Sequence, residues 1–195
     1  MGKRYFVVHF SGHGKPKLNG ARDQQAFGNL SGLLALGDVS RFCFYAGLGP
    51  ASREVATNVL GIARGYAGSG ADAVTYIVHG YSAGGITALH FAQKLPPRQL
   101  VYIGLSDVAF MRGESDSLMT APGAAGYHAS DNYYQTVDNA PSRAEIHGKI
   151  SSPGWSNQVV AVSGGWFSGS PHDQAVRYGD KQIYEAMADV IRQNR

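Results

Sequence analysis

Short, nearly continuous apolar runs alternate along this chain with longer stretches whose apolar residues fall at helical spacing. The runs 4–10, 41–46, 73–78, 100–105 and 158–162 are rich in Val, Ile, Phe and Tyr and poor in charge and read as strands, with 4–10 and 73–78 of the buried type. Between them, Val55, Val59 and Ile62 line one face of a helix expected over 52–66, with Ser52 as its N-cap. A second helix is expected from Gly85 to Leu95, where Pro96-Pro97 stops it. A third opens at Asp173, read as an N-cap, with Val176, Ile183, Met187, Val190 and Ile191 as its apolar face. The stretch 17–36 is ambiguous, although Leu30, Leu33 and Leu34 suggest a short helical patch. Strands alternating with helices predict an α/β fold, a three-layer sandwich around a mainly parallel sheet of about five strands.

The pattern lapses over 109–157, where Gly, Pro, Ser and Asn mix with Tyr127, Tyr133, Tyr134 and Trp155. So long an irregular stretch inside a compact domain usually covers a binding site, so a lid-like insertion is expected here. No repeat or linker divides the chain, and 1–195 is read as one domain.

Composition changes this picture little. With 195 residues, 44% of them hydrophobic, the chain is long enough to bury a full core. The 17 basic and 14 acidic residues give +3, but they are scattered, and no basic stripe points to nucleic acid. One cysteine, Cys43, allows no internal disulfide and no cysteine metal site, and its apolar run places it in a strand. The apolar run 5–10 is too short for a signal-peptide core or a membrane span. A cytoplasmic protein without stable membrane insertion is therefore expected, with signal-independent export left open. Gly68-Ser69-Gly70 lacks the Lys-Ser/Thr of a phosphate loop and reads as a turn.

Candidate chemistry centres on His79-Gly80-Tyr81-Ser82-Ala83-Gly84-Gly85, where the third strand gives way to a helix. Gly-x-Ser-x-Gly in this context is the pattern of a nucleophile elbow. The tight turn needs small residues two positions either side of the serine and lifts its hydroxyl above the sheet. It also aims the amide of Ala83, backed by the positive end of the helix, at a developing oxyanion. The simpler reading is a glycine-rich turn carrying an incidental serine.

Ligand sites in open α/β sheets gather at the carboxyl ends of strands. Ser82 follows the third predicted strand, Asp107 the fourth and His172 the fifth, while Ser11-Gly12-His13-Gly14 follows the first. His172 is the candidate base, Asp107 the candidate carboxylate that orients it, and Gly12 or His13 the candidate second oxyanion donor. His147 is the strongest rival base; His9 and His79 read as packed strand residues, and His90 and His128 are further alternatives. Among acids, Asp116, Asp131 and Asp138 read as solvated loop residues. Tyr81, Trp166 and Phe167 are candidates to line a substrate pocket, and core packing is an equal reading for the last two.

These segments resemble the α/β-hydrolase superfamily of serine esterases and lipases, the elbow most specifically and Ile103-Gly104-Leu105-Ser106-Asp107 more loosely. The stretch from Val160 through Trp166-Phe167 to His172 is similar to a bacterial group of lipase-like hydrolases that includes secreted phospholipase effectors. Asn132-Tyr133-Tyr134-Gln135 and Ile146-His147-Gly148 look like segments preceding the catalytic histidine in small members. The resemblance implies Ser82 as nucleophile, Asp107 as acid and His172 as base. The chain departs from the pattern in carrying Tyr81 before the serine and Ser-Gly-His-Gly in place of His-Gly-Gly-Gly. It also has little room for a helical cap. The expectation is a small serine hydrolase acting on a carboxylic ester or lipid, with no cofactor. No cluster of His and carboxylates at ligand spacing in the sequence suggests a metal. Rival readings are an acyltransferase or thioesterase with the same three residues, a peptidase or amidase, and a non-catalytic binding module.

Overall fold

The computed structural model describes residues 4–12, 32–33, 38–45, 50–111, 129–137, 145–163 and 170–193. Eight strands occur there: β1 (Arg4–Ser11), β2 (Val39–Tyr45), β3 (Val74–Tyr81), β4 (Leu100–Ser106), β5 (Phe110–Met111), β6 (Ala129–Tyr134), β7 (Glu145–Ile146) and β8 (Ser156–Val159). Six of them form a parallel sheet in the order β2-β1-β3-β4-β6-β8. The chain runs outward from β1 to β2, then returns to the far side of β1 and continues through β3 to β8. The strand order therefore reverses between β1 and β3, which opens a crevice at their carboxyl ends.

The central strands are buried on both faces because helices cover both. Phe6, Val8 and Phe10 of β1 and Val74, Tyr76 and Val78 of β3 pack beneath α1 (Pro50–Ala67) and α2 (Ala83–Ala92). The intervening Tyr5, Val7 and Ile77 face the other way, toward α3 (Pro171–Gln193) and Leu33. This alternation explains why the strands read as continuous apolar runs rather than as one-sided ones. α2 is buried along its whole length and ends at Ala92, short of the expected Leu95. α3 buries the five apolar residues its periodicity singled out.

Three local expectations are corrected. α1 starts at Pro50, so Ser52 lies inside its first turn, buried, and does not cap it. Its buried stripe is Ala56, Val59, Leu60 and Ala63, whereas Ile62 is 54% exposed. α3 starts at Pro171, and the hydroxyl of Ser170 accepts from the amide of Asp173 at 3.1 Å, so Ser170 is the cap.

The sheet has six strands rather than five because β6 arises within 109–157. Its sequence, Ala-Ser-Asp-Asn-Tyr-Tyr, lacks an apolar run, and tertiary partners meet the Asp131 carboxylate and the Asn132 Nδ2 group. Asn157 of β8 accepts from the Ile150 amide at 2.7 Å and from Asn132 Nδ2 at 3.0 Å, and donates to the Ile150 carbonyl at 2.9 Å. β5 and β7 pair antiparallel, Phe110 opposite Ile146, which brings the chain at His147 back beside the end of β4. The remainder of the expected lid-like stretch, 112–128 and 138–144, lies outside the described residues. Among the described residues, no helix is long and apolar enough to cross a membrane.

The Asn157 bonds tie β6, β8 and the 147–150 segment together. Asn157→Ala is expected to cost about 2–3 kcal/mol, since it strands the Ile150 amide and carbonyl in a half-buried setting. Urea unfolding checks this: the midpoint should fall while the slope stays constant.

Candidate active site

Ser82 makes the turn between β3 and α2 by itself, with φ 52° and ψ −133°. A serine in this region stores about 1–3 kcal/mol of backbone strain, which the surroundings must hold in place. The Ser82 amide donates to the Ser106 carbonyl at 3.1 Å, and the Ser82 carbonyl accepts from the Gly85 amide at 3.0 Å. α2 passes so close to β1 that a Cβ on Gly84 would sit 2.1 Å from the Phe10 carbonyl oxygen. Only glycine fits there. Ser82 is half-buried, and its hydroxyl makes no capping bond to α2. Gly12, at the end of β1, lies against it: a Cβ there would be 3.0 Å from Ser82 Cβ.

Asp107 follows β4 and shares the strained backbone of Ser82, with φ 45°; among the described residues these are the two non-glycine positions with positive φ. The turn drives its carboxylate into the interior, where it is fully buried. Polar groups converge on it from three directions. His172 Nδ1–H, from the first turn of α3, donates to Oδ2 at 2.6 Å. The amide of Gln135, just past β6, donates to Oδ1 at 3.0 Å, and Gln135 Nε2 reaches Oδ2 at 3.3 Å. His147 Nδ1 approaches Oδ1 at 3.2 Å. Burial alone would raise this carboxyl, but the contacts with His147 and His172 and the Gln135 amide outweigh it and hold it below its ordinary value. It is a carboxylate at neutral pH. With its proton on Nδ1, a neutral His172 ring presents a bare Nε2 that can accept another. His172 is 23% exposed at its side chain and His147 only 5%.

Beneath the turn runs a second polar layer, facing α3 inside an otherwise apolar core. Asp180 Oδ1 accepts from Ser106 Oγ at 2.7 Å and lies 3.1 Å from His79 Nε2. His79 Nδ1 lies 2.8 Å from His9 Nδ1. Burial, reinforced by the neighbouring His79, pushes His9 down to about 3, so its ring is neutral. His9 Nε2 has no hydrogen-bond partner, which assigns the proton to Nδ1, where it can donate to His79. The layer reaches the turn through Ser106: its side chain is fixed by Asp180, and its carbonyl holds the Ser82 amide.

No family model matches the sequence, and no curated protein does. Solved structures do match. A cutinase-like protein from Cryptococcus sp. aligns over 96% of this chain and 95% of its own, with 12% identity and a TM-score of 0.52. A lipase/esterase from Lactobacillus plantarum aligns over 94% and 87% respectively, also at 12% identity, with a TM-score of 0.50. The chain has the α/β-hydrolase fold.

Of the residues expected at the site, Asp107 and His172 are in direct contact, and Ser82, Ala83 and Gly12 adjoin one another at the neighbouring strand ends. Tyr81 is buried, its ring against Gly12 and 5.8 Å from that of His9. His13, Trp166 and Phe167 lie outside the described residues, as do His128, Asp116 and Asp138. Asp131 is a half-buried strand residue that accepts from the Tyr102 hydroxyl at 2.9 Å, rather than a solvated loop acid. Contrary to the reading of the sequence, His and carboxylate groups do cluster: ligand atoms of Asp107, His147 and His172 all lie within 4.8 Å of one another. Gln135 stood out only as part of the resembling segment Asn132-Tyr133-Tyr134-Gln135, and nothing in that segment assigns it a contact with Asp107. Asp180 was legible, four residues after Val176 and three before Ile183 on the buried stripe of α3.

The carboxyl of Asp180 is also held below its ordinary value: burial would raise it, but His79 and the Ser106 hydroxyl outweigh that. A depressed carboxyl contributes stability that is complete above its unfolded value of about 3.9 and is lost as pH falls through its folded value. Asp180→Asn is expected to cost about 3 kcal/mol at neutral pH, and the gap to wild type should narrow below about pH 4. Urea unfolding at neutral and acidic pH measures the gap; one that stays constant would exclude this linkage.

Proposed function

We propose that this chain is a serine hydrolase that cleaves carboxylic esters through an acyl-enzyme on Ser82. The observation that carries this reading is the 2.6 Å bond from His172 Nδ1 to the buried Asp107, which directs a partly exposed imidazole at the carboxyl edge of the sheet that also bears the Ser82 turn. A carboxylate that fixes the tautomer of a histidine and stabilises its protonated form is what a serine nucleophile requires. The fold, shared with a cutinase-like protein and a lipase/esterase, supports the same reading.

In this scheme Ser82 Oγ attacks the ester carbonyl carbon while its proton passes to His172 Nε2. The amides of Ala83 and Gly12 stabilise the oxyanion, each such donor being worth about 3 kcal/mol of barrier. His172 returns the proton to the departing alcohol. It then takes a proton from water as the water oxygen attacks the acyl carbon; the bond to Ser82 Oγ breaks, Oγ recovers that proton from His172, and the acid is released. Acyl transfer would follow the same steps with another acceptor in place of that water. The base role falls to His172 rather than His147, because His147 is nearly enclosed and more distant from Asp107.

A fluorophosphonate probe should label wild type and leave Ser82→Ala unlabelled; equal labelling of the two would remove the nucleophile assignment. With short p-nitrophenyl esters, His172→Ala is expected to lose about 1,000-fold or more in kcat. His147→Ala should lose only about tenfold, as a residue that positions Asp107. The opposite ranking would move the base to His147, and a binding module would show neither labelling nor turnover.

A further inference from the structure

We propose that Asp107, His147 and His172 form a binding site for one divalent d-block cation of the zinc type, and that the bound cation switches ester cleavage off. The switch rests on the function proposed above; the binding site does not.

One ligand atom from each residue lies within 4.8 Å of the other two. The Nδ1 atoms of His147 and His172 stand 3.2 and 2.6 Å from separate oxygens of the same carboxylate. Ligand atoms around a tetrahedral zinc ion are roughly 3.3 Å apart, given bonds of about 2.0–2.1 Å. The His147 contact already has that spacing and the His172 contact is shorter, but they reach different oxygens, so ligation through one oxygen must draw the most distant pair together from within 4.8 Å. The two imidazole planes are tilted by 48° with centroids 5.2 Å apart, so the rings converge without stacking. Two imidazoles and one carboxylate suit Zn²⁺, Cu²⁺ or Ni²⁺ rather than Mg²⁺ or Ca²⁺, which take oxygen ligands.

The surroundings support such a site. Asp107 is fully buried, so water competes poorly for its oxygens, while the part-exposed edge of His172 leaves a way in. The amide of Gln135 holds the carboxylate from behind, the outer contact that orients a ligating group. Three protein ligands leave the fourth position of a tetrahedral ion to water or to the carboxylate of a product acid.

Inhibition follows from the tautomer. A neutral imidazole ligated through Nδ1 carries its remaining proton on Nε2. His172 Nε2 would then donate rather than accept, and could not take the proton of Ser82. The cation would also replace the hydrogen bond by which Asp107 supports the ring.

Full-length protein stripped with EDTA and dialysed is titrated with ZnCl₂ by calorimetry, with imidazole ¹⁵N shifts followed by NMR. One equivalent of Zn²⁺ should bind and shift the Nδ1 signals of His147 and His172. Binding should weaken by about 100-fold or more in both His147→Ala and His147→Gln, each checked for folding by circular dichroism. Ser82→Ala should bind as wild type does, since its hydroxyl is no ligand. Turnover of a p-nitrophenyl ester should fall in step with occupancy and return on adding EDTA. Failure of the wild type to bind, or undiminished binding in both folded His147 variants, overturns the site. Binding at these residues with unchanged turnover, or turnover that requires Zn²⁺, overturns the switch. If Zn²⁺ binds as expected but the stripped protein cleaves no ester, the hydrolase reading falls and the binding site stands.

Discussion

A buried negative charge organises this end of the molecule. The carboxylate of Asp107 is fully buried, and such a group is tolerated only when its oxygens are met by donors. Those donors come from just past β6 through Gln135 and from α3 through His172, and His147, after β7, approaches to 3.2 Å. Three stretches far apart in the chain are therefore held at one point by a requirement of charge balance. Whatever chemistry takes place at the sheet edge depends on that convergence, because the orientation of His172 follows from it.

The positive φ values of Ser82 and Asp107 belong to the same constraint. Each residue ends a central strand and turns the chain abruptly, one toward the crevice and the other toward the core. The turns are coupled, since the Ser82 amide donates to the carbonyl of the residue just before Asp107. The strain is distributed over a frame that includes the close contact of Gly84 with β1 and the contacts of Asp180 with Ser106 and His79 beneath the turn. A serine and a carboxylate are thus fixed by backbone and core rather than by mobile side chains, which is how preorganisation is obtained without a ligand present.

The two polar clusters divide the labour by exposure. His9, His79 and Ser106 are sealed from solvent beneath the turn, with Asp180 slightly exposed at their edge. Asp107, His147 and His172 lie at the rim, where one imidazole edge meets solvent. The donor set at the rim can serve a proton or a metal ion. In the two proposals above, which of them it holds decides the tautomer of His172, so the cation site and the general-base role would exclude each other.

The linear sequence by itself determined the layered α/β architecture, five of the six sheet strands, the apolar face of α3, and the placement of Ser82, Asp107 and His172 at strand or helix ends. These are written in short-range periodicity and in Gly-Ser-Gly spacing, which express local sterics and burial. Only the tertiary structure decided that β6 joins the sheet, because the Asn132 Nδ2 group and the Asp131 carboxylate find their partners in Asn157 and Tyr102, far off in the chain. It likewise decided that Gln135 and His147 meet Asp107 and that His9 and His79 share a proton-bearing contact with each other. Such contacts arise when strands fall into parallel register and α3 docks across them, and hydrogen bonds between residues so far apart leave no trace in the order of the chain.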